Sequence, residues 1–324
     1  QLIQADVASQ RGLIQALGAE MQINGTLLDH NGAMHAIADN VGFPKLIKHA
    51  VLAGLGPGFA FPTMIASWIG LALFSGVRFR LKADYIERLH PIYDPDEISM
   101  MSRLVGRSIA DIYAKSHYGG TFTICYEHCC KWVGLSPLGK RPDFLSIDWG
   151  AMQVFSVEAK GFSKSSVSAA EFSAHKLQST SSHPFFGATY GVASVTYDIY
   201  SSLKVRIEDP HTDQPQADPN VIRKIVDSYY KEIKFRLHRF LVPGAMLKEM
   251  PFSSDSHLFF DIGSLINPLH PVPIFMFIPK STPPQGAERP VVIESETLYV
   301  DRDGIGVWAA PNNSFKPMPL SGTA

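Results

Sequence analysis

From about Asp96 to about Lys115, the residues Ile98, Met101, Leu104, Val105, Ile109 and Ile112 fall on one side of a helix. Gly119 and Gly120 break that pattern. Thr121 then stands where it would cap a second helix, with apolar positions at 122, 125, 126, 129, 130 and 133. Gly134 sits where a C-terminal cap belongs. Upstream, residues 1 to 92 read as mostly helical. No Asp, Glu, Lys or Arg lies between Lys48 and Arg78, and the stretch 58 to 77 is long enough to span a bilayer. It also contains Pro62, Ser67, Gly70 and Ser75, and no polybasic flank sets an orientation. The reading is a buried hairpin or helix, with a membrane span as the alternative.

Beyond the loop at Pro137 to Pro142 the period shortens. DFLSID (143 to 148) and QVFSVEAK (153 to 160) read as two strands joined by the turn WGAM. A Ser- and Ala-rich helix over about Ser166 to Ser179 follows, then a buried strand at 190 to 200. Residues 208 to 220 are rich in Asp, Pro and Gln and read as a linker. A long helix over about Pro219 to Leu241 has an apolar stripe of Ile222, Val226, Tyr229, Ile233, Leu237 and Leu241. It also carries Arg223, Lys224, Lys231, Lys234, Arg236 and Arg239, either a phosphate-following face or a solvated one. The remainder looks β-rich, with a strand at 273 to 279 and a hairpin at 290 to 310 turning at Asp303-Gly304. The expected organisation is mixed α/β: a helical N-terminal region (1–92), a central core (93–207), and a long basic helix with a β-rich C-terminal region (208–324).

The strand pair at 143–160 carries the candidate chemistry. A turn centred between Gly150 and Ala151 places Asp148 opposite Gln153, Ser146 opposite Phe155 and Asp143 opposite Glu158. Opposed residues share a face, and Lys160, two positions beyond Glu158, joins them. Two opposed carboxylates repel, so the pair favours a cation between them; hard oxygen ligands suit Mg²⁺ or Mn²⁺. If the register holds, both carboxylates reach one point and the Lys160 ammonium faces it.

The motif pair RPDF (141 to 144) and EAKG (158 to 161) resembles the PD-(D/E)XK nuclease superfamily. The resemblance covers roughly a quarter of the chain, about 120 to 200. It implies a restriction-endonuclease-like core: a helix, a motif-bearing β-hairpin, a second helix and a further strand. It also implies that Asp143 and Glu158 bind a divalent metal while Lys160 assists the attacking water. Many members place a Glu in the helix before the strands, which fits Glu127 as a further catalytic and metal residue. Some use a Gln or Lys in the following helix, for which Gln178 and Lys176 are candidates. One departure is that little sequence separates the Glu127 helix from Asp143. The implied activity is metal-dependent hydrolysis of phosphodiester bonds in DNA. A nuclease-fold module that binds nucleic acid or a protein partner without cutting is the competing expectation.

Charge and composition adjust this picture. The 324 residues have a formal net charge of -1, which excludes a surface coated in positive charge. A nucleic-acid grip would come from a local basic groove, a partner or a homo-oligomer. Cys125, Cys129 and Cys130 form no disulfide framework, so a reducing, cytoplasmic setting is expected. With His128 they have the wrong spacing for a zinc knuckle and read as core residues. His30 and His35 read as part of a polar loop entering a helix. Ser163, Ser165, Ser166 and His175 lack a nucleophile elbow, and the serines read as helix caps.

Overall fold

The structure is a computed structural model that describes residues 20–29, 32–54, 79–88, 95–137, 139–208, 217–238, 241–242, 252, 255–262, 274–283, 292–295 and 298–309. Among these residues it is mixed α/β, with five helices, a seven-stranded mixed sheet and a six-stranded antiparallel sheet. Residues 58 to 77 lie outside the described residues. Among the described ones, no helix is long and apolar enough to cross a membrane.

The N-terminal region differs from its expected helical character. Among the described residues it contains an antiparallel pair, β1 (Glu20–Leu28) and β2 (Met34–Gly42), followed by helix α1 (Phe43–Gly54). In β1, Met21, Ile23 and Leu27 are buried while Glu20, Gln22 and Asn24 are exposed, which is strand periodicity. Asp29, Gly32 and Ala33 belong to the connection between β1 and β2, and Met34 and His35 to β2 itself, so this is no helix entry. Asp29 accepts from Ala33 N at 2.9 Å and pairs with His35 at 2.9 Å, and Gly32 supplies φ +79. A short pair, β3 (Phe79–Leu81) and β4 (Ile86–Arg88), follows.

Helix α2 (Pro95–Ser116) leads into strand β5 (Phe122–Cys125) and helix α3 (Tyr126–Val133). The expected second helix therefore starts four residues late, and Thr121 does not cap it. Its N–H donates to Ile147 O at 2.7 Å, and its Oγ1 accepts from Trp149 N at 3.2 Å, so it pins the end of the next hairpin. That hairpin is β6 (Phe144–Asp148) and β7 (Gln153–Gly161), with Asp148 opposite Gln153, Ser146 opposite Phe155 and Phe144 opposite Val157. Asp148 Oδ1 accepts from Gly150 N and Ala151 N, which closes the turn. Helix α4 (Ala169–Ser179) starts on a capping box between Ser168 and Glu171, three residues after the expected start. It carries the chain over to β8 (Ala188–Tyr197), which runs parallel to β7, and β9 (Lys204–Glu208) returns antiparallel. The sheet order is β2-β1-β9-β8-β7-β6-β5. Because β1 pairs with β9, the sheet joins residues on both sides of the expected boundary at 92/93.

Helix α5 (Pro219–Leu237) buries Ile222, Val226, Tyr229, Ile233 and Leu237 of its expected stripe, but it ends four residues short of Leu241, which is exposed and lies in a strand. On its other side Arg223, Lys224 and Lys231 are exposed, while Lys234 donates to Lys280 O at 2.6 Å. The second sheet comprises β10 (Leu241–Val242), β11 (His257–Asp261), β12 (Ile274–Pro279), β13 (Ile293–Glu294), β14 (Leu298–Val300) and β15 (Gly306–Ala309), in the order β10-β11-β12-β15-β14-β13. The C-terminal region is thus β-rich as expected, with a turn from Asp301 to Ile305.

One backbone contact places α2 on the motif strand. A Cβ at Gly106 would lie 2.5 Å from Gly161 N and from the carbonyl carbon and oxygen of Lys160, and a Cβ at Gly161 would run into Ser102 O. Both neighbours are backbone, which cannot swing aside. Gly161→Ala is therefore expected to destabilise the fold by about 1–3 kcal/mol, the range for overpacking. Urea denaturation measures it, and an unchanged midpoint would mean that the helix and strand can separate freely.

Candidate active site

Asp143 immediately precedes β6, and the register of the pair continues it opposite Glu158. The side chains converge as expected. Lys160 Nζ lies 3.3 Å from Asp143 Oδ2 and is in ion-pair contact with Glu158 Oε1. Asp143 Oδ2 also accepts from Ala159 N at 3.0 Å, and its Oδ1 pairs with Arg107 Nη1 at 2.9 Å. Arg107, on α2, is the functional candidate that sequence reasoning missed. The one signal for it was Gly106 beside it, a glycine in a helix interior that calls for a packing reason.

The two carboxylates occupy different environments. Burial pushes the Glu158 carboxyl up to about 8, and the Asp143 carboxylate adds to this, while Lys160 opposes it. Neither Glu158 oxygen has a hydrogen-bond partner among the described residues, although Lys160 stands against one of them. For Asp143, burial also acts upward, but Arg107, Lys160 and the Ala159 N–H outweigh it and hold the group below the usual carboxylate range. Burial acts to lower the Lys160 pKa, but the two carboxylates raise it. The two carboxyls are thus pushed apart: Asp143 favours its ionised form, while Glu158 holds its proton to higher pH than an ordinary carboxyl.

Ionising the Glu158 carboxyl at this depth is costly, which is why burial raises its pKa. A hard divalent cation would relieve that cost, and Mg²⁺ is commonly held by one or two carboxylates with waters and phosphates completing its shell. Asp143 and Glu158 fit such an ion.

The cleft in front of Asp143 has a volume of about 280 Å³ and is lined by Arg107, Glu127, Lys140, Arg141 and Gln178, among others. Glu127 reaches this cleft from α3 but does not join the two carboxylates. Arg141 holds its Oε1 through Nε at 2.7 Å and through Nη2. Among the described residues no three His, Cys, Asp or Glu side chains converge as a metal cage. Glu127 is thus paired with Arg141 at the cleft wall and does not form a three-ligand group with Asp143 and Glu158 among the described residues. Gln178 also lines the cleft and donates to Arg141 O at 2.7 Å, which ties α4 to the loop before Asp143. Lys176 instead pairs with Glu208 at 2.7 Å, outside the cleft. Cys125, Cys129 and Cys130 are buried free thiols. Arg107, Lys140 and Arg141 line the cleft together with Asp143 and Glu127, so its charge is mixed.

Compared with known proteins, the chain matches no family model, no curated protein and no solved structure. A reading of the site rests on its own geometry.

Proposed function

We propose that the chain is a divalent-metal-dependent nuclease that hydrolyses phosphodiester bonds in DNA. The observation that carries this reading is the meeting of Asp143, Glu158 and Lys160 beside the cleft that Asp143 lines, with Glu158 fully buried. The order of elements supports it. Helix α3, the hairpin of β6 and β7, helix α4 and the parallel strand β8 come in the order that the PD-(D/E)XK resemblance implies. The departure stands: among the described residues no strand lies between the Glu127 helix and β6, and β5 precedes that helix.

Mg²⁺ or Mn²⁺ held by Asp143 and Glu158 would polarise a phosphoryl oxygen and make a bound water more acidic. The protein's own groups do the rest. Lys160 orients the attacking water and offsets charge on the phosphate; Arg107, Lys140 and Arg141 draw the backbone into the cleft. Water adds to phosphorus, the bond to one ester oxygen breaks, and that oxygen takes up a proton.

Incubation of plasmid and single-stranded DNA with Mg²⁺ or Mn²⁺, and with chelator, tests this. Cutting is expected only with metal, and Lys160→Ala is expected to lower it about 10²–10⁴-fold. Equal cutting by wild type, Lys160→Ala and Asp143→Ala would point to a contaminant and overturn the assignment.

A second reading, a non-cutting module that holds nucleic acid or a protein partner, is favoured by the ion pairs already made by Asp143 with Arg107 and Glu127 with Arg141. Calorimetric titration with Mn²⁺ separates the two. Heat of binding that is lost in Glu158→Ala supports the enzyme, and no binding supports the module.

A further inference from the structure

We propose that Arg107 is a functional residue of this site in its own right: it holds Asp143 as a counter-cation while the metal position is empty, and it passes to the scissile phosphate when metal and DNA bind. The inference rests on the nuclease reading above.

The argument begins with which oxygen is taken. Asp143 Oδ2 is already engaged by Ala159 N and Lys160, whereas Oδ1 faces the Arg107 guanidinium at 2.9 Å. A metal drawing on Asp143 through Oδ1 competes with that guanidinium for the same lone pairs. Arg107 and a divalent ion are therefore alternative partners for one carboxylate oxygen.

The position of Arg107 does not depend on that ion pair alone. The backbone contact of Gly106 with Lys160 and Gly161 fixes the root of the side chain on the motif strand. The guanidinium also lies 4.4 Å from the centre of the Phe144 ring, a cation–π arrangement that keeps it at the cleft when its anion is taken away. Arg107 lines the same cleft as Lys140 and Arg141. Of these, Arg141 is paired with Glu127, so Arg107 is the cleft arginine whose contact with Asp143 a metal would displace. A planar guanidinium offers a fork of donors that fits two phosphate oxygens, which a lysine ammonium does not.

The two roles predict opposite signs, and a merely structural arginine does not. Arg107→Ala removes the competitor, so Mn²⁺ titrated into the DNA-free protein is expected to bind about tenfold more tightly by calorimetry. The same variant is expected to cut DNA about 10²-fold more slowly at saturating Mn²⁺. Arg107→Lys keeps the charge and loses the fork, so its Mn²⁺ affinity stays near wild type while its cutting falls. Arg107→Gln, which drops the charge but keeps a donor, carries the same expectation as Arg107→Ala and replaces it should that variant fail to fold. A wild type that binds Mn²⁺ and cuts, beside folded Arg107→Ala or Arg107→Gln proteins that bind Mn²⁺ no more tightly, overturns the inference and leaves the nuclease reading standing. A wild type that binds no Mn²⁺ overturns both.

Discussion

Without divalent metal, Glu158→Gln is expected to gain about 2 kcal/mol of stability relative to the wild type between pH 6 and pH 8. The Glu158 carboxyl is fully buried, and burial, reinforced by Asp143, lifts it to about 8. In the unfolded chain it titrates near 4.5. Across that window the unfolded state has released a proton that the folded state keeps. The stability that protonated Glu158 brings is complete below about pH 4 and is lost as pH rises toward 8, at up to about 1.4 kcal/mol per unit. Glutamine has the same shape and no proton to lose. His49, whose pKa burial lowers, titrates alike in both proteins and cancels in the difference.

Metal reverses the comparison. Mn²⁺ is expected to stabilise the wild type by mass action and to leave Glu158→Gln nearly unmoved, because the neutral amide is a poor ligand for a hard cation. DNA cutting is expected to be lost in the same variant. Urea denaturation at pH 6 and pH 8, with chelator and with Mn²⁺, reads both effects. Parallel stability profiles for the two proteins would show that Glu158 is ionised throughout, and would remove the electrostatic basis for a cation at this position.

The hairpin register was legible because a two-residue period and a short turn admit few pairings, and a one-residue slip would have sent Asp143 to the wrong face. Strand β5 was not legible. All four of its residues are buried, so alternation is absent, and Phe122 and Cys125 fit helical spacing as readily as strand. In β1 the alternation was present in EMQINGTLL, but reading DHNGAMH as a helix entry hid the hairpin that it closes.

Site residues followed the same division. Asp143, Glu158 and Lys160 lie within eighteen positions on one hairpin, where local geometry brings them together. Arg107 lies 36 positions before Asp143, on a helix whose contact with β7 depends on two glycines and no recognisable motif. Glu127 fitted the expected pattern by position, but the claim that Arg141 makes on it is a tertiary fact that spacing could not convey.

Lys115→Ala is expected to cost about 3–5 kcal/mol, the range for breaking a buried ion pair by removing one partner. Lys115 on α2 and Lys48 on α1 both meet Asp301 and Asp303 in the turn between β14 and β15. Lys115 lies 2.9 Å from Asp301 and 3.0 Å from Asp303, and Lys48 lies 2.9 Å from Asp303 and is also paired with Asp301. Asp111 adds a contact of 3.4 Å to Lys115 and one of 2.7 Å to His49. Tyr230 on α5 donates to Asp303 O at 2.5 Å. These charged side chains are almost fully buried. Burial alone would neutralise them. Instead Asp111, Asp301 and Asp303 hold the Lys115 pKa above its ordinary value, and Lys115 and Lys48 hold Asp301 well below its own. The contribution of Asp111 and Asp301, both held below the usual carboxylate range, is present at neutral pH and lost as acid protonates them. Removing one ammonium leaves carboxylates buried with too little countercharge, whereas Lys115→Met with Asp303→Asn removes one charge of each sign. The double variant is therefore expected to be more stable than the sum of its single changes predicts, by at least about 1 kcal/mol in urea. Strict additivity, with each single change below about 1 kcal/mol, would show that water reaches the cluster. Because the cluster ties α1, α2, α5 and the β14–β15 turn together, and α2 also carries Gly106 and Arg107, its loss is expected to loosen the candidate site about 9 residues along the same helix. DNA cutting should then fall together with stability, even though none of the cluster's residues lines the cleft.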